Sequence, residues 1–528
     1  MIAPARAEEA GVAKRRILDT ALALAALTVF VSLFGFIKEA VTASRIGTSS
    51  DADVYYGIVY FTELIYRLGL SGIGTAVLVP LLASRLSSGE KESARSLLGT
   101  TVLWTILLAA LGLLGLLAVG NGALGVLLGG FSEQERGLAR EIALVLLPAG
   151  VVLLIASLFT AYANALGRFL VPRIAQLLPS LVIVLMLALS GTHDVRLLAL
   201  AYLLGAGALL AMCILVLRED RPGLRHLRLW HPELPAVFAL GLPVLALILG
   251  GDCIGMVQRR VASGFDAGAI AALSYGFRTA GTTGMLGTAM ATVALPALSI
   301  SAARGRMDEF RQVMWRSAVA SCVVVAPLTF LLMLWAKPVT ELLFARGAFD
   351  EASVALTSTA VVWFLPAALF DVWYGLALFA AYARRRLAIA YAMLGTRVAV
   401  TVPLYLTLAP ALGFTFLVAA TTAGTAAGTL VGLLLSPRID RTLARDVGKI
   451  LIVSLIVPAA LKLGEWALRE RGLVLPNEAL VLVLPAAALL MIAMLAFWRV
   501  GPAAEMLSLL PREARRLALK RAQGVAVP

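Results

Sequence analysis

The sequence predicts an all-α polytopic membrane protein with about 14 transmembrane helices, arranged as two six-helix lobes plus two C-terminal helices. Three observations carry this. The 528-residue chain is 60% hydrophobic and only 14% charged, with a mean hydropathy of +0.92, where a soluble chain would be roughly 25% charged. Apolar runs of about 20 residues, long enough to cross a hydrocarbon core, recur from end to end. These runs are too long, and too little alternating in polarity, for the strands of a β-barrel.

Spans are expected at 17–37, 54–83, 97–119, 141–166, 171–190, 195–217, 236–258, 268–300, 313–336, 353–383, 387–409, 412–436, 447–467 and 478–498. With both termini cytoplasmic, most Lys and Arg fall on the inner side. They cluster at Arg218/Arg221/Arg225/Arg228, Arg304/Arg306/Arg311/Arg316, Arg384–Arg386 and Arg438/Arg441/Arg445/Lys449, and in a tail with Arg512, Arg515, Arg516, Lys520 and Arg521. The net charge of +14 is therefore read as topology, and no nucleic-acid partner is expected. Lys14–Arg16 precede an apolar stretch that is too long for a signal peptide and lacks a clear cleavage site, so it is read as a retained first span. Cys213, Cys253 and Cys322 lie in or beside spans, far apart in sequence, and are expected to pack as small apolar residues.

An internal repeat organises the spans. Val77, Pro80, Leu82, Gly89, Glu92 and Arg95 recur at one constant offset as Val293, Pro296, Leu298, Gly305, Asp308 and Arg311. Phe131-Ser132-Glu133 returns as Phe349-Asp350-Glu351, and Ala161-Tyr162-Ala163 as Ala381-Tyr382-Ala383. Spans 1–6 and 7–12 thus read as two copies that enter the membrane from the same side, as in transporters built from parallel halves. The expected segments are an N-lobe at 1–233, a C-lobe at 234–440, and spans 13–14 with a basic cytoplasmic tail at 441–528. The proline-bearing polar stretch Arg218–Pro235 links the lobes.

The most informative stretch is Ser32–Pro80. Tyr56, Tyr60, Glu63, Arg67 and Ser71 share one face of span 2, among Ile, Val, Leu and Gly. Charges there should face a cavity or a partner rather than lipid. The wider set of membrane-depth ionisable residues is Lys38, Glu39, Glu63, Arg67, Asp252, Arg259, Arg260, Arg278, Asp371 and Arg397. Most lie on spans 1, 2, 7 and 8, and bases outnumber acids, so an anionic cargo is expected; Arg suits the oxygens of phosphate. Simpler readings stand beside this. Glu63 and Arg67 can neutralise each other, and Lys38, Arg259 and Arg260 can snorkel to the headgroups. Asp252 and Arg397 read either as a pair across the second lobe or as an ion-coupling site. Arg278 has no acidic neighbour on its own helix and is the favoured substrate residue.

No catalytic arrangement is legible. His193, His226 and His231 lie in loops, and no metal cluster, Walker motif or nucleophile elbow is present. The chain is read as a transporter, not an enzyme, without a cofactor. An Na+ or H+ gradient, the membrane potential or the substrate gradient is left to supply the energy.

The strings FGFIKEA (Phe34–Ala40), DADVYY (Asp51–Tyr56), YGFR (Tyr275–Arg278), ALPALS (Ala294–Ser299) and LFARGAFD (Leu343–Asp350), in this order and spacing, resemble the MurJ (MviN) lipid II flippases of the MOP exporter superfamily. The resemblance implies a bacterial cytoplasmic-membrane flippase of peptidoglycan biosynthesis with a cationic central cavity. A groove from the last two helices would take the polyprenyl tail. Lys38, Arg67 and Arg278 would hold the lipid's diphosphate. Glu39, Asp53, Glu63, Arg259 and Arg260 would line or gate the cavity. Ser32 and Tyr66 stand where the family has arginine, and Lys38 replaces another. Some members have a sodium site between spans 7, 11 and 12; Asp252 matches its span-7 carboxylate, while Arg397 and Thr401 do not supply the usual span-11 ligands.

The expected function is inner-to-outer translocation of a polyprenyl-diphosphate-linked saccharide, foremost lipid II, by alternating access. Its partners would be that lipid-linked saccharide, membrane lipid and cell-wall synthesis enzymes. The alternatives are a flippase for another lipid-linked glycan, such as an exopolysaccharide or O-antigen repeat, an ion-coupled multidrug efflux pump, or a non-transporting scaffold.

Overall fold

The computed structural model describes residues 27, 30–119, 125, 128–436, 441–471, 476–498 and 500–503. Lys14–Arg16, the start of span 1 and the basic residues Arg512–Arg521 lie outside them. The described residues form helices and no strand. We number them α1 (30–46), α2 (Ser50–Ser87), α3 (Lys91–Val119), α4 (Glu133–Ala165), α5 (Leu170–Ser190), α6 (Val195–Val216), α7 (Leu234–Ala262), α8 (Ala269–Ala303), α9 (Met307–Leu334), α10 (Glu351–Ala383), α11 (Leu387–Leu412), α12 (Phe414–Leu434), α13 (Arg441–Glu470) and α14 (Leu480–Phe497). Among the described residues twelve helices are long and apolar enough to cross a membrane. The other two expected spans correspond to α1, described only from residue 30, and to α8, a single helix of 35 residues.

The sequence repeat becomes a repeat of turns. Ser132 caps α4 through a reciprocal capping box with Glu135, and Asp350 caps α10 by accepting the Ser353 N–H at 2.8 Å. That N–H holds the Asp350 carboxyl below the usual carboxylate range. The preceding Phe131 and Phe349 are both buried. The turns after α2 and α8 use Gly89 and Gly305, both at positive φ. The Ala-Tyr-Ala match is out of step with this register. Helices α4 and α10 each run 33 residues from their caps, which sets Ala163 rather than Ala161 opposite Ala381.

That register pairs Gly167, at φ 77°, with Arg385, at φ 54°, the sole non-glycine at positive φ among the described residues. A side chain in the left-handed region costs roughly 1–2 kcal/mol. Arg385→Gly is therefore expected to stabilise the protein by about 1 kcal/mol, read as a raised melting temperature in detergent; an unchanged or lowered value would refute the strain.

The chain divides into two compact units, Met1–Asp252 and Cys253–Pro528. The division falls inside α7, not in the link before it. The link and the first part of α7 are tied to the first unit. Arg95 donates to the carbonyls of Glu219 and Asp220, Arg168 to the Asp220 carboxylate at 2.9 Å, and Arg85 to Glu233 at 2.8 Å. His226 meets Glu92 at 2.7 Å. Within the first unit α2 packs on α4 and α4 on α6. Within the second, α8 packs on α10 and α10 on α12. Helices α13 and α14 belong to the second unit, where Ile450, Val453, Met491 and Leu495 pack into the α9 core around Met314, Ala318 and Trp335. Cys213 and Cys322 are buried packing residues as expected, whereas Cys253 is exposed.

Pro148, Pro243, Pro327 and Pro366 leave their helices continuous. Helix α2 instead loosens into a π stretch at Leu68–Leu78, immediately after Arg67, and α11 does so at Leu404–Leu408. Such widened turns place side chains off the ordinary helical register.

Candidate substrate site

In the first unit, Ser49 accepts the Ala52 N–H and starts α2, with Asp51 and Asp53 in its first turn, where the helix dipole favours acids. Asp53 is buried there. The polar stripe follows, one turn apart at each step, and it is satisfied from within the unit. The Tyr56 hydroxyl donates to Glu39 at 2.7 Å, and Glu39 also holds the Lys38 ammonium at 2.7 Å; both partners of that ion pair are largely buried. The Tyr60 hydroxyl lies 3.0 Å from Asp252 Oδ1 and 2.9 Å from the Asp252 carbonyl oxygen on α7. Arg67 donates through Nη2 to the same Oδ1 at 2.8 Å, approaches Glu63 at 3.5 Å, and lies over the Tyr60 ring at 5.4 Å.

This geometry redistributes the expected charge. Around Arg67 there are two carboxylates to one guanidinium, and Lys38 is matched by Glu39. The cationic excess comes instead from the second unit. There Arg259, partly buried, donates to the Gly255 carbonyl oxygen at 3.3 Å, while Arg260 and Arg278 are exposed. No described residue offers Arg278 a hydrogen bond or an ion pair. Asp252 and Arg397 each find another partner inside their own unit, which displaces the expectation that they pair: Arg397 donates to Asp371 at 2.9 Å and lies over the Tyr374 ring at 5.4 Å.

Sequence reasoning missed a neutral polar network in the second unit. Gln258 on α7 donates to Thr421 on α12 at 3.1 Å, and Thr421 meets the Tyr405 hydroxyl of α11 at 2.6 Å; all three are buried. Its signal was the recurrence of Thr421, Thr425 and Thr429 at a spacing of one helical turn, which puts hydroxyls on one buried face. This donor set does not fit the cation site that the resemblance implies. Asp252 is engaged by Arg67 and Tyr60, α11 contributes a guanidinium, and the network supplies no carboxylate. Among the described residues no group of three or more His, Cys, Asp or Glu is placed to hold a metal.

A multi-pass helical membrane protein in two units, each with an ordered set of charges among its apolar helices, is the class that this fold defines. The solved lipid II flippase MurJ in an inward closed conformation superimposes with a TM-score of 0.78 at 16% identity, over 90% of this chain and 98% of that one. An inward-facing multidrug resistance MATE family transporter of the MOP superfamily follows at 0.64, over 80% of this chain and 95% of the other. At such identities these likenesses speak for the fold alone. The family model of lipid II flippase MurJ matches residues 42–474, and the chain belongs to that family. Probable lipid II flippases MurJ of Rhizobium meliloti (strain 1021) and Rhizobium tropici are each 27% identical, over 409 and 344 residues. The alignments cover 74% and 62% of this chain, and 74% and 63% of the relatives' own lengths.

Proposed function

We propose that this protein carries a polyprenyl-diphosphate-linked saccharide, in the first place lipid II, from the inner to the outer leaflet of the bacterial cytoplasmic membrane, with both termini in the cytoplasm. The observation that carries the reading is the family match across most of the spans. The exposed Arg278 guanidinium and the forked donors of Arg67 suit a diphosphate, whose oxygens take bidentate hydrogen bonds. Lys38 and Glu39 form a pair that positions the end of α1 against Tyr56. In the first unit Glu63 adds charge beside Arg67 while buried Asp53 anchors the start of α2, and in the second unit Arg259 and Arg260 add positive charge at the end of α7. The protein alternates access to the two leaflets, and α13 and α14 guide the tail. With Arg397 held by Asp371, a fixed internal cation stands in the second unit, and the membrane potential or the substrate gradient supplies the drive. Cell-wall synthesis enzymes would consume the delivered saccharide.

The test is genetic replacement. Expression of this chain is expected to restore growth and cell shape to bacteria depleted of their own lipid II flippase. Failure to rescue, together with flipping of a different lipid-linked glycan in proteoliposomes, would reassign the cargo.

A further inference from the structure

The Arg67 cluster contains more negative charge than an anion site requires. Asp252 Oδ1 sits 2.8 Å from Arg67 Nη2, in the position a substrate oxygen would take, and the Tyr60 hydroxyl, 3.0 Å away, steadies the same oxygen. The Asp252 side chain is 16% exposed and that of Arg67 36%, so a ligand can reach the guanidinium while the carboxylate is largely shielded from water. Glu63, at 3.5 Å and more exposed, is the looser partner.

We propose that Asp252 is a built-in competitor for the phosphate seat on Arg67. It sets a charge threshold that admits a diphosphate and turns away the single phosphodiester of an ordinary phospholipid. The inference rests on the reading of Arg67 as a diphosphate ligand. A membrane-embedded arginine is surrounded by lipid phosphates in large excess, so charge alone cannot select the cargo. A phosphodiester that replaces Asp252 exchanges one negative charge for another and strands a shielded carboxylate, which is costly. A diphosphate brings at least one further charge and more acceptor oxygens to a forked donor, and this offsets the stranding. Tyr60 completes the device, because its hydroxyl remains on Asp252 when Arg67 turns to the ligand. Asp252 is in this sense a specificity-determining residue that acts through Arg67, and it need not touch the cargo.

The full chain in detergent, titrated with farnesyl diphosphate and separately with dihexanoylphosphatidylglycerol, tests this by native mass spectrometry. The wild type should prefer the diphosphate by about tenfold or more, about 1.4 kcal/mol. Asp252→Asn keeps an acceptor for Tyr60 and removes the charge; it should lose most of that preference, chiefly by gaining the phosphodiester. Asp252→Ser should do the same, which guards against one variant failing to fold; thermal melts establish that both are folded. A preference unchanged in the folded variants, or loss of both probes, would overturn the competitor role while leaving the site intact. If the wild type, or Arg67→Gln compared with it, shows that Arg67 takes no part in binding the diphosphate, the functional reading of Arg67 fails and the inference falls with it.

Discussion

Arg278→Ala is expected to abolish transport and leave the fold unchanged. The guanidinium is exposed and has no hydrogen-bond or ion-pair partner among the described residues, so its removal breaks no internal pair. Surface changes of that kind usually stay within about 0.5 kcal/mol of stability. Its neighbours Phe277 and Tyr275 pack independently, on Phe364 and on Phe344 and Phe349. Truncating one partner of a charge pair made with a desolvated diphosphate costs about 2–5 kcal/mol, a loss of roughly 30-fold to several-thousand-fold in affinity. Arg278→Lys should retain part of the activity, because it keeps the charge and loses the bidentate fork. The measurement is flipping of a fluorescent lipid-linked saccharide in proteoliposomes, beside a melting curve. Wild-type flipping by Arg278→Ala would remove this residue from the site.

Arg67 and Lys38 differ from Arg278 in a way that the sequence displays only in part. All three are membrane-depth cations on helices of the expected first pairs. Arg67 and Lys38 nevertheless arrive with carboxylates at 2.8 and 2.7 Å. The Lys38–Glu39 pair joins adjacent residues and could have been read from the sequence. The partner of Arg67 is Asp252, 185 positions away on α7, and only the folded structure reveals it. The repeat and the stripe at Tyr56, Tyr60, Glu63 and Arg67 were legible because both depend on periodicity, which sequence records directly. The boundary between units was not legible. It depends on which helix the polar link grips, and Arg95, Arg168 and Arg85 hold that link to the first unit through contacts distant in sequence. The neutral network of Gln258, Tyr405 and Thr421 escaped notice for a related reason: isolated hydroxyls and amides in apolar spans are common, and their meeting is a tertiary event.

The second large effect concerns packing around that network. Gly424→Leu is expected to destabilise the protein by about 3 kcal/mol or more. Helices α11 and α12 approach so closely here that a Cβ on residue 424 would collide with the Thr401 hydroxyl and come within 3.0 Å of the Arg397 carbonyl oxygen. Backbone cannot yield as a flexible side chain can, so the helices must separate. A Cβ on residue 428, one turn on, would come within 2.9 Å of the Met393 carbonyl oxygen, so Gly428 gives no slack. Small residues at such contacts are how helices gain van der Waals packing where lipid removes the hydrophobic drive. Separation would also stretch the Tyr405–Thr421 contact and shift the turn of α11 that carries Arg397 towards Asp371. Gly424→Ala should show a smaller loss in the same direction. Melting temperature in detergent, with transport measured below the melt, distinguishes a packing role from a direct one. A folded Gly424→Leu protein of undiminished stability would show that α11 and α12 are not locked at this crossing.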